Sequence, residues 1–167
     1  MIRVHAISLV LFSLLTLRCV GQQTATDTQS AFCTFDDGKE LKVEYSTLPA
    51  KHREEFHNGK IWEPGGSPMI LFTQSAVTVG GTVVPEGAFS MYIIPEKENW
   101  TLIVNRNATA GSKYEESQDL VRAPMQVGQT DSPVKTVQVA FAHVAPKECN
   151  LRLYYETSGA WAEFLEK

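Results

Sequence analysis

The stretch from Leu71 to Asn105, LFTQSAVTVGGTVVPEGAFSMYIIPEKENWTLIVN, decides the fold. Three breaks divide it: Gly80-Gly81, Pro85-Glu86-Gly87 and Pro95-Glu96-Lys97-Glu98-Asn99. Glycine reaches positive φ without steric cost and proline presets φ, so each break has a turn mechanism. Between the last two breaks, Phe89, Met91 and Ile93 fall on one side of an extended chain and Ser90, Tyr92 and Ile94 on the other. After the last break, Trp100, Leu102 and Val104 alternate in the same way. A period of two marks a strand with one face turned to a core.

The same pattern recurs on both sides. Phe32 to Phe35 predicts a short strand, and Asp36-Asp37-Gly38 a tight hairpin turn. Lys39 to Ser46 alternates cleanly, with Leu41, Val43 and Tyr45 on the apolar side. Thr47 to Gly59 is a charged loop, and Lys60 to Trp62 starts a strand. Glu63-Pro64-Gly65-Gly66-Ser67-Pro68 is too rich in proline and glycine for regular structure, and Met69 to Phe72 re-enters the sheet. Over Asp119 to Val127, Val121, Ala123 and Met125 share a face, and Pro124 predicts an edge strand or a bulge. A turn or two of helix over Lys113 to Leu120 is the alternative there. Pro133 to His143 is the longest alternating run, with Val137, Val139 and Phe141 on one side. Asn150 to Tyr155 and Ala160 to Leu165 read as a closing hairpin around Glu156-Thr157-Ser158-Gly159. Together these predict an all-β, single-domain β-sandwich, jelly-roll-like or a distorted barrel, of about nine or ten short strands.

With 167 residues, 43% hydrophobic and 20% charged, the chain has the make-up of one globular domain. Its start is different. Arg3 precedes the apolar run Ala6 to Leu17, which Arg18-Cys19-Val20-Gly21 follows. The run is shorter than the roughly 20 residues a spanning helix needs, so residues 1–21 read as a signal peptide cut after Gly21. A lipoprotein anchored at Cys19 is the alternative, although Arg18 stands where a lipidation signal wants a small residue. Gln22 to Ser30 reads as a polar spacer, and residues 31–167 as the domain. The product is periplasmic or secreted, with no transmembrane span. Removal of Arg3 and Arg18 takes the formal charge from −4 to −6, a poor match for nucleic acid or anionic lipid. Outside the reducing cytosol, Cys33 and Cys149 predict one disulfide, with two buried free thiols as the alternative.

Motifs of catalysis are missing. Gly65-Gly66-Ser67-Pro68-Met69 lacks the second glycine of a serine-hydrolase elbow, and proline follows the serine. The sequence has no phosphate-binding or dinucleotide glycine pattern and calls for no cofactor. His52 and His57, with Glu55 between them, invite a metal reading, but a spacing of five splays the rings on a helix and fits no zinc-protease motif. A solvated charged loop explains them, and no metal is expected. Trp62, Trp100, Trp161, Tyr154 and Tyr155 are the residues of a sugar-stacking platform. Trp100 follows the core parity of its strand. Trp62, beside the Pro/Gly loop, is the better candidate for a ligand-facing ring, against a plain core role. Asp119 and Arg122 suit either a structural ion pair or a ligand carboxylate. His143 ends a core-facing row, as a rim histidine or a base. The ligand-binding candidates are therefore Trp62, Glu63, Asp119, Arg122 and His143, and no residue is assigned as catalytic.

GKIWEPGG at Gly59 to Gly66, VTVGGTVVPEGAFSMYIIPEKENWTLIVN at Val77 to Asn105 and KYEESQDLVRAPM at Lys113 to Met125 resemble the bacterial family named domain of unknown function 2911. The likeness runs from about Cys33 to Lys167. It implies an exported or envelope β-rich domain and brings no established activity or substrate. Many members carry Arg-Thr-Gly-Ala-Asn-Glu after the tryptophan. Here Glu63 to Pro68 stands in its place, so a ligand held by that cluster elsewhere would be held poorly here. The function expected from all this is non-catalytic binding of a small ligand or an envelope partner. The alternative is an enzyme with one polar cleft around Glu63, Asp119, Arg122 and His143.

Overall fold

A computed structural model describes residues 27–47, 59–109 and 112–167. Residues 1–21, read above as a signal peptide, most of the stretch read as a spacer, and His52, Glu55 and His57 lie outside the described residues. Among the described residues nine strands run in chain order: β1 (Thr28–Thr34), β2 (Glu40–Ser46), β3 (Met69–Thr73), β4 (Val77–Val79), β5 (Thr82–Val84), β6 (Gly87–Pro95), β7 (Trp100–Asn105), β8 (Asp119–Ala145) and β9 (Glu148–Glu166). They form one antiparallel sheet in the order β1-β2-β3-β6-β7-β8-β9-β4-β5. The all-β expectation holds.

The sheet folds over along β8. Residues 119–125 of β8 pair with β7, and from Gln126 onward the strand pairs with β9. Pro124 sits just before this hand-over, opposite Thr101. The β9 ladder has not yet begun there, so β8 is paired on one side only at Pro124, an edge position of the kind proline occupies. One layer is thus β1-β2-β3-β6-β7 with the start of β8, and the other is the rest of β8 with β9, β4 and β5. Leu41, Val43, Met91, Ile93, Trp100, Leu102 and Val104 of the first layer share one core with Val137, Leu151, Leu153, Tyr155 and Phe164 of the second. The alternation read from the sequence is the alternation of this core.

Cys33 and Cys149 are bonded, with Cα atoms 6.3 Å apart. The bridge joins β1 to β9 across the core, because the two strands are not hydrogen-bonded neighbours. Beside it the two turns meet. The Asp36 N–H donates to the Pro146 carbonyl oxygen at 3.1 Å, which ties the β1–β2 hairpin to the β8–β9 hairpin.

Three local expectations need correction. β1 begins at Thr28, inside the stretch read as a spacer, because Thr28–Ala31 pairs with Val43–Ser46 of β2. Second, β8 and β9 are long, at 27 and 19 residues, where several short strands were expected. The supposed hairpin at 156–159 is a bend within β9. Gly128 pairs with Gly159 and Gln129 with Ser158. The next pair is Val134 with Glu156, so five steps on β8 match two on β9. Turn residues on the two strands thus coincide, and the ladder is interrupted at the bend and resumes beyond it. Glu156, at φ 52°, is the one non-glycine residue with positive φ among the described residues. Third, the outer side of β6 and β7 is also covered: Tyr92 and Ile103 are buried there, and the Tyr92 ring meets that of Tyr114 at 4.9 Å. The stretch considered for a helix holds one 3₁₀ turn, Glu116–Gln118.

Candidate functional site

Asp119 and Arg122 come together, as parts of a closed knot on the outer face of the first layer. Asp119 Oδ2 accepts from Arg122 Nε at 2.8 Å and from the Tyr114 hydroxyl at 2.7 Å. Its Oδ1 accepts from Asn105 Nδ2 at 2.8 Å. Arg122 Nη2 donates to the Tyr114 oxygen at 2.6 Å and lies 3.1 Å from Glu116 Oε1. Asn105, almost wholly buried, also donates to the Glu115 carbonyl oxygen and accepts from the Asn107 N–H. Burial, then the hydrogen bond to the Asp119 carboxylate, pushes the Tyr114 phenol up to about 12. Burial works against the Arg122 charge, but the Asp119 carboxylate and its neighbours outweigh it and raise that guanidinium further. Every group in the knot has a protein partner. Its hydrogen bonds tie Tyr114 and the Glu116–Gln118 turn to the ends of β7 and β8.

The other candidates lie elsewhere. Trp62 bridges Ile93 of β6 and is 5% exposed. Its ring packs 6.3 Å from Trp100 and 5.1 Å from Tyr155, so it is a core residue and presents no face to a ligand. Glu63 follows it, and burial alone raises its carboxyl. The row Trp62, Ile93, Leu102, Ala123 crosses three inter-strand steps, which puts the Trp62 and Ala123 backbones about 14 Å apart at the usual spacing. His143 is at the disulfide end of the domain, paired with Cys149 across the ladder, and its Nε2 lies 3.4 Å from Asp36 Oδ1. No contact among the described residues joins Glu63 or His143 to the Asp119–Arg122 pair.

The aromatic set divides. Trp62, Trp100 and Tyr155 are core, whereas Tyr154 and Trp161 are half-buried and line a cleft of about 270 Å³ on the outer face of the second layer. The bend in β9 makes this cleft. Before the bend the core residues are odd-numbered (Leu151, Leu153, Tyr155), and after it they are even-numbered (Ala160, Ala162, Phe164). Tyr154 and Trp161 therefore both point outward, from opposite sides of the bend. The paired glycines Gly128 and Gly159 form the floor. A Cβ on Gly159 would lie 3.1 Å from Tyr154 Cδ1, and one on Gly128 would lie 3.3 Å from Trp161 Cζ3. Side chains there would push the two rings away. Gln129, Thr130 and Arg152 complete the polar rim.

Arg152 and the two glycines were not legible as site residues. The parity switch across Glu156 was the available signal, since it requires a bulge and puts Tyr154 and Trp161 on one face. A second groove, about 400 Å³, shares Tyr154 and runs along the seam between Gln29 and Tyr45 and residues 136–140 of β8. Among the described residues no group of His, Cys, Asp or Glu is placed to hold a metal ion. Nor is any helix long and apolar enough to cross a membrane.

Fold and bridge define a disulfide-linked all-β domain of two layers. The model of the family described as protein of unknown function (DUF2911) matches residues 26–163, and the chain belongs to that family. No curated protein and no solved structure matches it.

Proposed function

We propose that this chain is an exported bacterial binding module that takes a small ring-shaped ligand, of the carbohydrate class, in the Tyr154–Trp161 cleft. The observation that carries the reading is the pair of outward rings on either side of a bend, above a floor of two glycines. The C–H faces of a sugar ring are apolar and carry partial positive charge, so they stack on the negative face of an aromatic ring. A volume of about 270 Å³ lies just below the range of drug-sized pockets and suits one six-membered ring. Gln129 and Thr130 offer an amide and a hydroxyl at the rim for ring hydroxyls. Export is supported by the disulfide, which persists in oxidising compartments. An enzyme built on Glu63, Asp119, Arg122 and His143 has less support, because proton transfer needs direct or one-water contact and only Asp119 and Arg122 touch.

Titration of tryptophan fluorescence with a panel of monosaccharides and short oligosaccharides tests the reading. Trp62 and Trp100 are buried, so a ligand-dependent change belongs to Trp161 and disappears in Trp161→Phe. A panel that leaves the emission and the melting temperature unchanged rejects it. N-terminal sequencing of the mature protein tests export separately: an intact Met1 in the native host excludes it.

A further inference from the structure

We infer that the ring bound in the cleft carries a carboxylate, as a uronic acid does, and that Arg152 receives it. This rests on the binding reading above and sharpens it from shape to charge. Eight of the described residues line the cleft, and among them Arg152 is the one with a charge, a cation. It lies two residues before Tyr154 on the outer face of β9, so its stem starts beside the stacking ring. Its side chain is exposed, and no ion-pair partner for it exists among the described residues. That separates it from Arg122, which spends its donors on Asp119, Tyr114 and Glu116.

A planar guanidinium presents two parallel N–H donors at the spacing of carboxylate oxygens. A ring stacked on Trp161 and Tyr154, with a carboxylate at its edge, uses both the apolar walls and the fork. The neighbouring rim groups fit the remaining hydroxyls. The Thr130 hydroxyl donates to the Ser132 carbonyl oxygen at 3.0 Å, which leaves its lone pairs to accept. A phosphate is the competing anion. It carries more charge and more oxygens than one guanidinium satisfies, and the lining supplies no second cation among the described residues. The chain's net charge of −4 opposes any anion at long range. That opposition is screened over about 8 Å at physiological ionic strength, whereas the Arg152 fork acts in contact.

Calorimetric titration of the oxidised mature chain decides it, with glucuronate and galacturonate against glucose, galactose, the uronate methyl esters and glucose 6-phosphate. The expected result is a uronate affinity roughly tenfold or more above the parent sugar and the methyl ester, the scale of one charge-assisted pair. Arg152→Gln should remove the preference for the uronate over its methyl ester, so that the two bind alike. Arg152 is exposed, so this variant keeps its fold, which its melting curve verifies. Equal binding of uronate and methyl ester overturns the charge assignment and leaves the ring reading intact. Tighter binding of the sugar phosphate overturns the carboxylate in favour of phosphate. No binding by any sugar overturns both.

Discussion

Two clusters on the outside of the sheet each combine an arginine with tyrosine, and they differ in what the arginine touches. On the first layer, Arg122 is held by Asp119, Tyr114 and Glu116, and both Asp119 oxygens accept hydrogen bonds. On the second layer, Arg152 lines an open cleft beside Tyr154 and Trp161, without an ion-pair partner among the described residues. Pairing around the buried Asn105 amide makes the first cluster part of the fold, although Arg122 itself is partly exposed. Exposure without pairing costs the second little, because water solvates the guanidinium until something better arrives. On the reading proposed above, the same residue types serve stability on one face and recognition on the other. Composition alone does not separate them; the partner list does.

The comparison requires the two faces to belong to one body, and the largest expected effect comes from cutting the tie between layers. Replacing Cys33 and Cys149 together by serine opens a loop of 116 residues. The chain-entropy relation allows about 5 kcal/mol for such a loop, with 2–5 kcal/mol the usual loss on removing a native bridge. Urea unfolding in oxidising buffer should show the loss, and reductant should lower the wild type to the level of the variant. If the double serine variant unfolds at the wild-type midpoint, the layers hold together without the bridge.

The next effect is confined to the first layer. Asp119→Ala removes the acceptor of Tyr114, Arg122 and Asn105 at once, and Asn105 is 1% exposed. A buried donor left unpaired costs about 1–3 kcal/mol, so a loss of that size is expected in urea. Sugar titrations of the same variant should be unchanged. A loss of binding with Asp119→Ala would place the ligand on the wrong face.

The contrast between the faces also explains what the sequence made legible. Strand positions followed from alternation, because Leu41, Val43, Tyr45, Phe89, Met91 and Ile93 must share one side of a strand to be buried. The Cys33–Cys149 bridge followed from count and compartment. Asp119 and Arg122 stood out as polar groups in an apolar row, and they proved to pair with each other. The cleft was hidden for a physical reason. Glu156-Thr157-Ser158-Gly159 has the chemistry of a turn, and only its register against Gly128 and Gln129 on β8 makes it a bend. That register is a long-range property. Trp62 misled in the opposite direction: its Pro/Gly neighbours suggest exposure, while the bridge to Ile93 turns the ring inward onto Trp100 and Tyr155.

A smaller effect is a pH dependence carried by Tyr114 on the first layer. In the folded state the Tyr114 phenol is pushed up to about 12, by burial first and then by its hydrogen bond to Asp119. The ordinary value is near 10, so folding favours the neutral phenol. The stability this contributes is complete below pH 10 and is lost as the pH rises from about 10 through about 12. Tyr114→Phe should therefore flatten the fall in melting temperature over that window, relative to wild type. Equal slopes in wild type and Tyr114→Phe would deny the coupling.

The smallest effect is the most discriminating. Arg122→Ala takes a half-exposed guanidinium from three partners, and a loss of about 1 kcal/mol is expected after screening by solvent. Arg152→Ala takes away a side chain with no ion-pair partner among the described residues, and its stability should stay within about 0.5 kcal/mol of wild type. Combining each with Asp119→Ala sharpens the point. Arg122 and Asp119 share hydrogen bonds, so their double variant should cost less than the sum of the single ones. Arg152 shares no contact with Asp119, so that double variant should be additive. Additivity in both cycles would mean that the knot is no more cooperative than the cleft, and the distinction drawn between the two faces would rest on geometry without energy behind it.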